Sequence, residues 1–269
     1  MSGRRLSVPT AATCTVACLT TVVAPLVSSC LPGLRLPAVR PNGGLLWAAG
    51  HEAGDTGDWW APARARREGD NCGGEYNNPP AASEVADVAH GGRYGLRLRV
   101  PDTTTGASLG ARAFRWCEPR RYRELYYSAW YYLPQRVAVH SWWGLMEWKS
   151  AGSQNAKFML QVANRPDGGM YLFLGRGADS GGGAWRQEVA DLPVGRWVHL
   201  EAYYRKAADQ TGRVIVWQDG VQLLDVAGVQ TANSDDLSWA VINYGQQTAP
   251  ADVEIYVDDA AISTERVWR

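Results

Sequence analysis

Apolar and polar residues alternate in short runs from about residue 46 to the end of the chain. "YGLRLRV" (94–100) alternates apolar with basic positions, and "LYYSAWYYL" (125–133) is a long aromatic run stopped by Pro134. "WWGLMEWKS" (142–150), "AKFMLQVAN" (156–164), "GMYLFLG" (169–175), "RWVHLEAYYR" (196–205), "GRVIVWQDG" (212–220), "VQLLDV" (221–226), "LSWAVINYG" (237–245) and "DVEIYVDDAAIS" (252–263) continue the pattern. A period of two puts successive side chains on opposite faces of a strand. Gly, Pro, Asn and Asp separate the runs, and "RPDGGM" and "WQDGVQ" contain the Asp-Gly pair that supplies positive φ to tight hairpins. Many short strands with turn signals between them predict an all-β sandwich or barrel, and nothing in the pattern calls for a parallel α/β sheet. A chain of 269 residues is compatible with one such domain.

The first residues follow a different rule. Arg4 and Arg5 precede an apolar run from Ala11 to Val27, and no acidic residue occurs before Glu52. This is the pattern of a secretory leader, predicted over 1–29. It is short and early for a membrane span. Its end, "LVSSC", resembles a bacterial lipoprotein signal, which would make Cys30 the lipidated residue. Residues 30–45 contain Pro and Gly without periodicity and read as a tether, leaving 46–269 as the folded domain. Cys14 and Cys18 would leave with the leader. Cys72 and Cys117 then remain as an even pair in an exported chain, and a disulfide between them is expected. The expected location is therefore secreted or cell-surface, with membrane contact only through an N-terminal lipid.

Composition adds a chemical bias. The formal net charge is zero, which removes the electrostatic case for nucleic acid. Lysine occurs only at 149, 157 and 206 among 27 basic residues, so the other 24 are arginines, whose planar fork suits carboxylates. Thirteen Trp and twelve Tyr stand against three Phe. Trp and Tyr join an apolar body to a polar handle, which matches the apolar CH faces and hydroxyl edges of sugars. About half of these aromatics are expected in the core instead.

Two strands place polar groups in register. In "SWAVINYGQQTAP" (238–250), Ile242, Tyr244 and Gln246 share one face if the strand continues through them. In "GLMEWKS", Glu147 and Lys149 share a face, while Met146 and Trp148 point the other way into a core.

The order of these pieces resembles the concanavalin A-like β-jelly roll, and within it the heparin-lyase-like and alginate-lyase-like polysaccharide lyases. "GRWVHL", "VIVWQDG" and the closing "YVDD" carry the fold resemblance over roughly 46–265. The alginate-lyase-like families line a groove with three strand motifs: an R-x-E-x-R strand, Q-[IV]-H, and a tyrosine strand ending Y-x-Q. "VINYGQQ" is similar to the third and implies Tyr244 as the catalytic tyrosine with Gln246 beside it. "LGARAFRW" loosely resembles the first, with Arg112 and Arg115 as its arginines and Phe114 where the carboxylate would stand. "GLMEWKS" falls where the second belongs, with Glu147 and Lys149 at its polar positions and no histidine.

The resemblance implies β-elimination on an acidic, uronic-acid-containing glycan lying along the concave sheet. That reaction removes the proton on C5 beside a carboxylate, so cationic, amide or protonated groups must offset the carboxylate charge. A base must reach C5 and an acid must protonate O4. A tyrosine can do both when a cation favours its ionised form. Arg112, Lys149 and Tyr244 make the minimal set, with Gln246 and Glu147 orienting and Arg115 and Trp142 as further substrate contacts. They are expected to converge in one groove. His140, in a loop beside Trp142, is a further proton-transfer candidate by residue type. No cofactor is required. A structural calcium is a separate candidate, because oxygen ligands suit that ion and Glu52, Asp55 and Asp259 stand near the opening and closing strands. The E-x-D-x-x-E strand of jelly-roll glucanases, G-x-S-x-G, zinc motifs and the P-loop do not occur. The competing reading is a non-catalytic, lectin-like carbohydrate-binding module of the same fold, and a weaker one is a purely structural surface domain. In every case the chain is expected to act as a monomer.

Overall fold

The computed structural model describes residues 44–61, 71–104, 106–153, 155–178 and 181–267. The predicted leader (1–29), Cys30 and all but the last two residues of the predicted tether lie outside them. In chain order the strands are Leu45–Ala49 (β1), Gly73–Glu75 (β2), Ala82–Ala86 (β3), Gly95–Val100 (β4), Leu109–Arg115 (β5), Glu124–Tyr132 (β6), Ala138–Ser150 (β7) and Phe158–Asn164 (β8). They continue with Met170–Arg176 (β9), Ala184–Trp185 (β10), Trp197–Arg205 (β11), Gly212–Gln218 (β12), Val221–Val229 (β13), Leu237–Ala249 (β14) and Val253–Ser263 (β15). Two short helices, Gly57–Trp60 (α1) and Cys117–Arg121 (α2), complete the set.

The strands form two antiparallel sheets, the sandwich that the alternating pattern allows and the jelly roll that the family resemblance implies. The first runs β13-β12-β11-β6-β15-β4-β3, with β1 also paired to β15. The second runs β10-β9-β8-β7-β14-β5-β2. Only one short pair of residues is needed at the β12–β13 turn. Asp219 and Gly220 both adopt positive φ there, which matches the twist of the flanking strands.

One face of each sheet forms the core. Leu96 and Leu98 of β4, Tyr127 and Tyr131 of β6 and Leu200 and Tyr204 of β11 meet Met146 and Trp148 of β7, Leu160 of β8 and Trp239 and Val241 of β14. Large aromatics interlock across the layer. Trp47, Trp59 and Trp239 lie within 4.7–6.1 Å of one another, and Trp148 stacks on Tyr204 at 4.9 Å. Cys72, just before β2, is joined to Cys117 at the start of α2, closing a loop of 45 residues.

Two buried polar links tie the sheets together behind the second sheet's outer face. Asn243 of β14 accepts a hydrogen bond from Trp143 Nε1 at 2.8 Å and donates to the carbonyls of Leu98 (3.0 Å) and Val253 (2.9 Å). The Tyr131 hydroxyl donates to the Leu145 carbonyl at 3.0 Å. A buried amide or phenol satisfied in this way holds backbone position more sharply than apolar packing alone.

Candidate active site

β14 continues through Tyr244, so the parity read from the sequence holds: Trp239 and Val241 enter the core, Asn243 cross-links the sheets, and Tyr244 faces outward. Its neighbour β5 keeps the same rule. Ala111 and Ala113 are core residues, while Arg112 faces outward opposite Ile242. Tyr244 itself pairs with Gly110. A Cβ on Gly110 would lie 2.8 Å from Tyr244 Cγ, so only glycine lets the ring lie across β5.

That ring meets Arg112. The guanidinium carbon of Arg112 lies 4.5 Å from the centroid of Tyr244 and 4.5 Å from the centroid of Tyr76, so the cation sits between two phenols. Arg112 also donates to the Asn78 side-chain oxygen (3.0 Å) and the Tyr76 carbonyl (3.3 Å). Trp142 packs edge-on against Tyr244 at 4.7 Å. Cation–π contact and two hydrogen bonds give Arg112 a fixed plane.

On β7 the polar pair faces the same side. Glu147 and Lys149 line the cleft beside Tyr244, and Met146 and Trp148 are buried in the core. Trp142 joins them although its parity is wrong for a regular strand. The register of β7 against β8 shifts between Gly144 and Met146. Leu145 and Met146 therefore both reach the core, and Trp142 is turned outward. A bulge re-aims side chains in this way. Glu147 is buried, and that burial raises its carboxyl pKa above the usual range, while the nearby charges of Arg112 and Lys149 pull against the rise. Burial penalises the charged form, so the carboxyl leans toward neutrality.

The result is a cleft of about 370 Å³ that contains Arg112, Trp142, Glu147, Lys149 and Tyr244. Residues outside the sequence-based candidates also line it, among them Asn155, Gln161 and Arg176. Gln161 lies on β8 one strand beyond β7, and parity puts it on the cleft face with Met159. Its period-two position was readable in "AKFMLQVAN", but nothing local ties that strand to Tyr244. Gly175 gives it room, since a Cβ there would lie 3.2 Å from Gln161 Cδ.

The family profile described as "Polysaccharide lyase" matches residues 51–261. The chain belongs to this polysaccharide lyase family. It is accordingly an enzyme of that class, which decides against the lectin-like reading. Solved structures agree on the fold. The lyase is similar to the endo-β-1,4-glucuronan lyase from the fungus Trichoderma reesei, at 17% identity and a TM-score of 0.56, covering 71% of this chain and 90% of that one. It is also similar to the marine PL-14 alginate lyase from Aplysia kurodai, at 11% identity and a TM-score of 0.52, covering 82% of this chain and 99% of that one. The cellulose induced protein Cip1 matches at 14% identity and a TM-score of 0.51, covering 73% and 94%. No curated protein matches the lyase in sequence.

Several expected site residues of the lyase lie elsewhere. Arg115 is three residues from Arg112 and so points to the opposite face of β5. It is fully buried, forms a forked pair with Glu118 (2.7 and 3.1 Å), donates to the carbonyls of Trp59 and Ala61, and stacks on Trp47 at 4.9 Å. It is a structural arginine and no substrate contact. His140 lies within β7 and not in a loop, and it lines a separate depression with Arg136 and Asn164. Gln246 shares the outward face but donates its amide to the Gly106 carbonyl and does not line the cleft.

The three calcium candidates do not gather. Glu52 accepts from the backbone N–H groups of Arg93 and Tyr94, Asp55 caps the Gly57 N–H at 2.8 Å, and Asp259 meets His90 Nδ1 at 2.8 Å. Asp258, on the other face, accepts from the N–H groups of His90 and Gly91. Each carboxylate has its own partner, a turn or a histidine. Among the described residues no cluster of three or more His, Cys, Asp or Glu is placed to hold a metal ion.

Proposed function

We propose that this lyase cleaves a uronic-acid-containing glycan by β-elimination, with Tyr244 moving the protons. The observation that carries the reading is the convergence of the Tyr244 phenol with Arg112, Lys149 and the buried Glu147 in one cleft. A uronate carboxylate placed beside Arg112 and Lys149, with Glu147 held toward its neutral form by burial, would have its charge offset as negative charge builds at C5 and spreads into the carboxylate. The Tyr244 oxygen, as phenolate, takes the C5 proton. The released electron pair forms the C4–C5 double bond, the C4–O4 bond breaks, and the same tyrosine returns the proton to O4. Tyr244 ends as it began, so one residue serves as base and acid. Trp142 offers an aromatic edge to an adjacent ring, and Gln161 an amide to its hydroxyls.

The same reading takes the chain as exported and anchored through Cys30. The charged start and apolar run of the leader support it, and the Cys72–Cys117 disulfide suits an oxidising compartment. The acidic character of the substrate is supported by the cationic lining of the cleft. Glucuronan and alginate head the test panel, because they are the polymers in the names of two structural relatives.

The experiment is incubation of the purified protein with glucuronan, alginate, pectin and heparin, following the ultraviolet absorbance of the new C4–C5 double bond. Absorbance should rise with at least one polymer. Binding of these polymers with no rise on any of them would end the elimination reading.

A further inference from the structure

Two further depressions continue from the cleft in series. The first, also about 370 Å³, is lined by Phe114, Trp116, Arg120 and Lys149, among others, and so shares Lys149 with the cleft. The second, about 520 Å³, is lined by Arg120, Arg121, Arg123 and Lys206, and so shares Arg120 with the first. The order follows the chain. Arg112 and Phe114 are outward residues of β5, Trp116 follows, and α2 then presents Arg120 and Arg121. From Arg112 to Trp116 a strand advances about 13 Å at roughly 3.3 Å per residue, so the path exceeds one sugar.

Its chemistry alternates. The Phe114 and Trp116 rings are 5.5 Å apart, and the Arg120 guanidinium carbon lies 5.6 Å from the Trp116 ring. Cationic side chains outnumber acidic ones in the lining of the cleft and of both depressions, in a chain whose formal charge is zero. Arg120 is tied to Asp236, and Lys206 is buried and held by the carbonyls of Pro119, Arg120 and Asp235. Arg121 and Arg123 are different. Both are exposed, and neither forms an ion pair among the described residues. Arg121 lies over the Tyr122 ring at 5.7 Å, and Arg123 reaches the Thr211 hydroxyl at 3.5 Å and stands near the Asp209 carboxylate.

We infer that the glycan path leaves the cleft past Lys149, crosses the Phe114–Trp116 pair and ends on Arg121 and Arg123, which bind carboxylates of a long polyuronate several sugars from the cleavage point. Ring faces would hold sugar planes and arginine forks their acids. The inference rests on the proposed function for its substrate class, and its test reads binding separately from cleavage. The double variant Arg121→Ala/Arg123→Ala, both exposed positions, is compared with the unaltered protein and with Arg121→Lys/Arg123→Lys. Each is titrated at low salt with glucuronan and alginate, as polymer and as trisaccharide. The alanine variant should bind polymer about five- to tenfold more weakly, the scale of two partly exposed charge contacts. It should bind trisaccharide as before, and the lysine variant should recover most of the loss. Equal polymer affinity in the alanine variant and the unaltered protein overturns the path, as does an equal loss on polymer and trisaccharide. If the unaltered protein binds polymer without forming double bonds, the elimination reading fails while the path is still decided by these affinities.

Discussion

Arg112 is held against Tyr244 by strand register: β5 and β14 are paired with Arg112 opposite Ile242 and Gly110 opposite Tyr244, and the guanidinium carbon comes to 4.5 Å from the phenol ring centroid. The contact joins neighbouring outward positions on adjacent strands, so it is a property of the sheet and not of a loop. Groups carried on paired strands keep their geometry more closely than groups on connections.

Tyr244→Phe removes one oxygen and leaves the ring on Arg112. Turnover of the preferred polymer should fall by at least about 10²-fold, the range of a lost general acid–base group, while polymer affinity stays close to that of the unaltered protein. Initial rates and calorimetric titration measure the two quantities. A variant that keeps more than about one-tenth of its turnover would take the proton-transfer role away from Tyr244.

Gly110→Ala tests the ring's seat without touching a polar group. The added methyl would overlap the Tyr244 ring, with Cγ only 2.8 Å away, and the ring would have to leave Arg112. Overpacking of this kind costs about 1–3 kcal/mol, so the protein should still fold. Activity should drop far more than melting temperature, and near-ultraviolet circular dichroism should report the moved tyrosine. Unchanged activity would show that the position of the ring is not critical.

Glu147 predicts a pH dependence of stability. Its folded pKa is raised chiefly by burial, so in the window above the ordinary carboxylate range the native state holds a proton that the unfolded state has lost. Stability therefore falls as pH rises through that window, and the penalty is complete above the raised value. Glu147→Gln keeps the shape of the neutral form and should melt higher than the unaltered protein near about pH 7 and no differently near about pH 4. Melting curves across that range decide it, and a constant offset at every pH would contradict the assignment.

Arg115→Met separates the buried arginine from the one in the cleft. It leaves Glu118 without its forked partner in the core, and breaking a buried pair from one side costs about 3–5 kcal/mol. A large fall in denaturant midpoint is expected, with turnover per folded molecule preserved at low temperature. Arg112→Met should show the reverse, little change in midpoint and a loss of turnover.

Parity accounts for most of what could be read in advance. Tyr244, Arg112, Glu147 and Lys149 sit at outward positions of their strands, and the period of two assigns them a face whatever their partners are. The same rule separates Arg115 from Arg112, three residues away, and overrides the motif resemblance that grouped them. Trp142 lies beyond the reach of parity, because the register shift between Gly144 and Met146 inverts it. His140 and Gln246 share faces with site residues but sit farther along their strands, where His140 lines another depression and the Gly106 carbonyl takes the Gln246 amide. Glu52, Asp55 and Asp259 had the chemistry of calcium ligands, but the fold sets them on different partners, backbone N–H groups and His90.

Strand content, the facing of side chains away from the bulges and the Cys72–Cys117 pair are local or compositional facts, and the amino-acid order determined them, because alternation and cysteine count do not depend on which strands meet. Strand neighbours were decided only in the folded sheet. The order β9-β8-β7-β14-β5 brings Arg176, Gln161, Lys149, Tyr244 and Arg112 from positions up to 132 residues apart, Arg112 to Tyr244, into one cleft. Pairing of distant strands depends on burying both inner faces at once, a condition that no short stretch of sequence contains.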